Sequence, residues 1–91
     1  MSMLVRFTPP SLTAQQYDDT IHRLEEAGDF PPDGLDYHCC FGTDGSLKVS
    51  EIWDSQEQFD AFGERLMPIL EEAGIDPGQP EQIEIHNVIK R

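Results

Sequence analysis

The sequence predicts an α+β fold with the element order β-α-β-β-α-β. Three features carry that expectation. Two segments repeat apolar residues at helical spacing, four shorter segments alternate or run into turn residues, and an Asp-Gly pair separates two of those strands. At 91 residues the chain has room for one domain, residues 1–91, near the small end of the usual domain range.

The first strand is expected over Met3–Thr8 and is stopped by the Pro9-Pro10 pair. Thr13 and Gln16 have the spacing of a capping box, and Tyr17, Ile21 and Leu24 follow at helical intervals until Gly28. After the loop residues "DFPPDG", two strands are expected at about Leu35–Phe41 and Leu47–Asp54, joined by a two-residue Asp44-Gly45 turn whose central residues need positive φ. A second helix starts at Ser55, with Gln58 as its capping partner, and Phe59, Phe62, Leu66, Leu70 and Ala73 mark its apolar stripe. Pro68 inside that stripe removes a backbone donor and is expected to bend or interrupt the helix before Gly74 ends it. Gln82–Ile89 alternates as a last strand. With right-handed crossovers this order gives the ferredoxin-like arrangement, a four-stranded antiparallel sheet in strand order 4-1-3-2 with both helices on one face.

The stretch "DYHCCFGTDGSLKVSEIW" holds the densest set of reactive side chains. Pairing outward from the turn places Cys40 opposite Val49, His38 opposite Glu51 and Asp36 opposite Trp53, on one face of the hairpin together with Leu47. Leu35, Tyr37, Cys39, Phe41, Lys48, Ser50 and Ile52 take the other face. Cys39 and Cys40 therefore point to opposite sides and cannot close on one ion or form an ordinary disulfide. His86, on the far edge strand, stands about 14 Å from His38, well beyond metal-ligand reach. No metal site is expected, and the thiols read as small buried hydrophobes.

Eighteen acidic against six basic side chains give a formal charge of -12. Such a surface repels phosphate backbones and anionic membranes, so neither nucleic acid nor membrane is an expected partner. Two adjacent cysteines make no disulfide framework, and no leader-like segment or bilayer-length apolar run is evident, so a cytoplasmic location is expected. The expected sheet is apolar on both faces, whereas two helices cover only one. Hiding several hundred Å² of the bare face represents roughly 10 kcal/mol of gross stabilisation. A twofold homodimer joined through the sheet faces is the simplest way to cover it.

The segments "GLDYHCCF", "EIWDS" and "QEQFDAFGERLMPIL" resemble those of the dimeric α+β barrel superfamily, in particular small proteins near the antibiotic-biosynthesis monooxygenase and stress-responsive barrel domains. That resemblance implies a homodimer holding a small aromatic or otherwise apolar molecule beside the sheet. Activities in the superfamily include cofactor-independent oxygenation, haem degradation, and dehalogenase-like and decarboxylase-like reactions. His22, His38 and His86 form no matched haem-ligand motif, and there is no Gly-rich nucleotide fingerprint or nucleophile elbow, so no cofactor is expected.

Within this frame His38 is the candidate catalytic acid or base, with Glu51 opposite to orient its ring. Tyr17, Asp36, Cys40, Val49 and Trp53 are the candidate ligand contacts. Each has a structural alternative: a satisfied cross-strand hydrogen bond for the His38–Glu51 pair, a core anchor against Phe59 and Phe62 for Trp53, and an amphipathic core residue for Tyr17. His22 reads as exposed, and Arg65 as a surface partner of Glu64 or Asp60. Two functions stay open: a cofactor-independent monooxygenase-like enzyme acting on a small aromatic or polyketide-like molecule, and a noncatalytic binding or accessory homodimer. A closed cavity of about 300 Å³ or more would favour the enzyme, and a solid interior the second reading.

Overall fold

The computed structural model describes residues 2–91. It contains β1 (Met3–Phe7), α1 (Ala14–Glu26), β2 (Leu35–Phe41), β3 (Lys48–Trp53), α2 (Gln56–Glu72) and β4 (Glu81–Glu84). The strands form one antiparallel sheet in the order β2-β3-β1-β4, the order expected from the sequence. Alternation puts Met3, Val5, Val49, Glu51 and Trp53 on the buried face, where Leu24 of α1 and Phe59 and Phe62 of α2 cover them.

Local chemistry explains both helix starts. The Thr13 hydroxyl accepts from the Gln16 amide at 3.1 Å, while the Gln16 side chain accepts from the Thr13 amide at 3.0 Å, completing a capping box. Ser55 accepts from the Gln58 amide at 3.3 Å, but the Gln58 side chain bonds the Ser55 hydroxyl rather than its backbone. That side chain lies across Gly34, where φ is +89° and an added Cβ would come within 2.4 Å of it. Both helices close by the same pair of bonds, Gly28 to Glu25 with Asp29 to Leu24, and Gly74 to Glu71 with Ile75 to Leu70. Two ion pairs tie the helices together, Arg23 with Glu72 and Arg65 with Asp29 at 3.2 Å. Arg65 thus reaches the end of α1 rather than Glu64 or Asp60 on its own helix.

Several expectations are corrected. Pro68 does not interrupt α2, which runs on to Glu72. Pro68 and Glu64 are both exposed, so water can serve the carbonyl freed by the missing donor, while Phe62 and Leu70 hold the helix on either side. Ala73 leaves the stripe because it is the C-cap. In the hairpin, Ser46 bonds back to Thr43 at 2.8 Å, but among the described residues only glycines have positive φ, Gly45 included, so Asp44 keeps an ordinary conformation. Its carboxylate instead accepts from the Ala14 amide at 2.9 Å and pins the start of α1 to the hairpin tip. The last strand is only four residues long, because β1 offers partners from Met3 to Arg6 and Ile85 makes one more bond, to Ser2. Ile89 is left 89% exposed, and His86 lies outside the strand.

The face away from the helices carries Leu4, Ile52, Tyr37 and Phe41 together with Ile83 of β4. Tyr37, Phe41 and Ile83 are 48%, 41% and 48% exposed, so the apolar second face expected from alternation is present and bare in the single chain. Among the described residues, no helix is long and apolar enough to cross a membrane.

Leu24→Ala is expected to cost about 2–5 kcal/mol of unfolding free energy through loss of packing. Thr13→Ala should cost about 1 kcal/mol through loss of the cap. Urea unfolding followed by Trp53 fluorescence measures both, and an unchanged midpoint for Leu24→Ala would contradict the core described above.

Candidate functional site

The site grows from the middle of β3. Strand alternation turns Glu51 toward the helices, between His38 of β2 on one side and Val5 of β1 on the other. Glu51 is only 3% exposed, and a carboxylate so placed is tolerable only if its oxygens are bonded. Both are: Trp53, two residues on and on the same face, donates its indole N–H to Oε1 at 3.0 Å, and His38 Nδ1 lies 2.7 Å from Oε2. A carboxylate only accepts, so Nδ1 carries the imidazole hydrogen and Nε2 is left to accept. Nε2 meets the Tyr17 hydroxyl from α1 at 2.6 Å. The result is a continuous chain, Tyr17–His38–Glu51–Trp53, running from α1 across the sheet into the core.

Aromatic contacts hold the imidazole in place. Phe30, from the loop after α1, meets it edge-on with ring centroids 5.4 Å apart. The Tyr17 and His38 rings lie nearly parallel, inclined by 21° with centroids 5.9 Å apart. Burial, then the nearby Cys40 and Glu51, lifts the Tyr17 phenol from 10.0 to about 12. The Cys40 thiol is also raised, chiefly by burial.

Tyr17, His38, Glu51 and Val49 line a cavity of about 80 Å³ between the sheet and the helices, partly open to solvent. Its other walls are almost wholly apolar: Phe7 from β1, Ile21 and Leu24 from α1, Phe62, Leu66 and Leu70 from α2, and Phe30. Pro9 and Leu12 from the loop before α1, Thr20 of α1, whose hydroxyl donates to the Gln16 carbonyl, and Ile75 and Pro77 after α2 complete the lining, which contains no Lys or Arg. The volume is well below the roughly 300–1,000 Å³ of pockets that enclose drug-sized ligands. It suits the reacting end of a molecule.

Four of the sequence-derived site residues, Tyr17, His38, Val49 and Glu51, therefore converge on the cavity, and three do not. A bulge between Leu35 and Tyr37 makes Leu35, not Asp36, the partner of Trp53. Asp36 is exposed, pairs with Lys90 at 3.0 Å and is not part of the cavity lining. Cys40 faces Val49 as expected but lies outside the lining, and Trp53 is fully buried behind Glu51, packed on Phe59 and Phe62 at 5.6 Å each. His22 is exposed beside Glu26. Among the described residues, no group of three or more His, Cys, Asp or Glu is placed to hold a metal ion. The contributions of Phe30 and Leu12 went unread because each sits in a loop without periodicity. Their one signal was an apolar residue beside proline or ahead of a helix cap.

The ferredoxin-like α+β fold is shared with solved structures of antibiotic-biosynthesis-monooxygenase-like proteins. No protein-family model and no curated protein sequence matches the chain, and the likeness lies in solved structures. SnoaB, a cofactor-independent oxygenase from Streptomyces nogalater, superposes with a TM-score of 0.64 at 12% identity, over 99% of this chain and 96% of its own. A candidate antibiotic-biosynthesis monooxygenase from Deinococcus radiodurans gives 0.63 at 13%, over 100% and 98%. Another from Chloroflexus aurantiacus gives 0.63 at 11%, over 97% of each chain.

The Tyr17 environment sets an alkaline signature. The unfolded chain releases this proton near 10.0 while the folded chain holds it to about 12, so the folded state binds more protons in between and stability falls as pH rises through that window. Tyr17→Phe should remove its share of that fall, together with the phenolate absorbance step near 12, as read by ultraviolet titration of the folded protein.

Proposed function

We propose that the protein is a small homodimeric, monooxygenase-like enzyme that accepts a small aromatic or polyketide-like molecule without a metal or organic cofactor. The observation that carries this reading is His38, fixed by a buried carboxylate, at the wall of an otherwise apolar cavity. An apolar molecule entering there meets mostly hydrocarbon walls, with the Tyr17–His38–Glu51 chain as the main polar feature. His38 removes a hydroxyl proton from an electron-rich phenol or enol, and Glu51 stabilises the imidazolium that results. The ligand anion reduces O2 by one electron and recombines with it at carbon. The peroxide takes back the proton held by His38, and its O–O bond breaks as the hydrogen on the same carbon is lost as a proton, leaving a carbonyl and water, so one oxygen atom enters the product.

SnoaB, a cofactor-independent oxygenase, shares this fold at 12% identity and supports the same reading. The bare sheet face supports the homodimer, since a second copy placed face to face would cover Tyr37, Phe41, Ile52 and Ile83. The cavity volume of about 80 Å³ favours a second reading, a noncatalytic binding or accessory homodimer.

Turnover separates the two. With electron-rich phenols and enolisable aryl ketones under ¹⁸O2, the enzyme reading predicts incorporation of a single labelled atom, detected by mass spectrometry. His38→Ala should lower that rate at least about 100-fold, the scale of general-base catalysis, without changing the sedimentation of the dimer. Unchanged turnover would defeat the role given to His38, and no incorporation by the wild type would leave the binding reading. Phe41→Asp on the bare face should shift sedimentation toward a single copy, because it places a charge in each half of a twofold contact.

A further inference from the structure

Both ring nitrogens of His38 are already engaged, Nδ1 by Glu51 at 2.7 Å and Nε2 by the Tyr17 hydroxyl at 2.6 Å. Phe30 stands against the ring at 5.4 Å. The imidazole lines the cavity, yet neither nitrogen is available to a ligand unless Tyr17 moves away. Tyr17 lines the same cavity, and its oxygen keeps acceptor capacity after donating its own hydrogen to Nε2.

The structure assigns Tyr17 as the catalytic residue that meets the ligand hydroxyl, passing the proton on to His38. This rests on the reading of His38 as proton acceptor and names the route by which the proton reaches it. The step balances within the site. The ligand O–H bond breaks as its proton joins the Tyr17 oxygen, the original Tyr17 O–H bond breaks, and a new N–H bond forms at Nε2. The products are a ligand anion, a neutral tyrosine and an imidazolium beside the Glu51 carboxylate. No electron moves and no oxidant is needed.

Two further observations fit this route. Tyr17 is neutral across the physiological range, so it has a proton to hand on and does not compete as a standing base. The lining has no Lys or Arg to receive an anion and has Glu51 behind the relay, so the ligand it suits is a neutral phenol or enol that ionises only after binding. A carboxylate of similar shape would enter against a chain of charge -12.

The probe is 4-nitrophenol, whose neutral and ionised forms absorb at different wavelengths, added to full-length protein at a pH where the free phenol is mainly neutral. Bound probe should appear ionised in the wild type and neutral in His38→Gln. In Tyr17→Phe, checked for an unchanged unfolding midpoint, it should bind but show at least tenfold less phenolate. Tyr17→Phe that ionises the probe as well as the wild type, or better because Nε2 is uncovered, would overturn the relay while leaving His38 as the base. Ionisation that survives His38→Gln would overturn the base assignment and the relay together. Failure of the wild type to bind 4-nitrophenol would remove the phenol site on which both rest.

Discussion

A carboxylate in the middle of a sheet, facing the core, is the constraint around which this molecule is arranged. Glu51 occupies a position that alternation would give to a Val or Ile, and an unbonded charge there would cost several kcal/mol. The chain meets that cost with two donors from different directions. The Trp53 indole comes from the same strand, and the His38 imidazole from its neighbour. Each donor has its own support: Trp53 is locked by Phe59 and Phe62 of α2, and His38 by Phe30 and Tyr17. Helix packing and imidazole tautomer are therefore set by one group.

That arrangement also links the fold to reactivity. Tyr17 can reach His38 only if α1 is held at the right height, and α1 is positioned by its capping box and by Asp44, which reaches back from the hairpin tip to the Ala14 amide. Leu47 adds a backbone bond to Leu12, one of the residues at the cavity. The β2–β3 turn thus sets the entrance of the helix that supplies the phenol. Across the sheet, the apolar face left bare by the helices is where the proposed second copy would sit. A dimer formed there would stiffen the strands carrying His38 and Glu51 from behind.

Much of this was legible in the residues because it depends on period and spacing. Alternation in "YHCCF" and "KVSEIW", with the Asp-Gly turn between, placed His38 opposite Glu51 and separated the two thiols. Helical spacing put Tyr17 on the inner stripe. What escaped depends on events without a period. The bulge at Asp36 shifted one residue out of register and exchanged Asp36 for Leu35 beside Trp53. The hydrogen bond between Tyr17 and His38 joins residues 21 apart and follows from how α1 settles on the sheet. The alternation of Gln82–Ile89 outran its strand because pairing needs a partner backbone, and β1 supplies one for only a few residues.

The tautomer of His38 tests this account most directly, because Glu51 is said to dictate it. Nitrogen-15 NMR of imidazole-labelled protein near neutral pH should show Nδ1 bearing the hydrogen and Nε2 acting as an acceptor, with an Nδ1–H proton strongly deshielded by its carboxylate partner. Glu51→Gln should disturb that signature. A His38 that carries its hydrogen on Nε2, or whose nitrogen shifts ignore the loss of the Glu51 charge, would contradict the account.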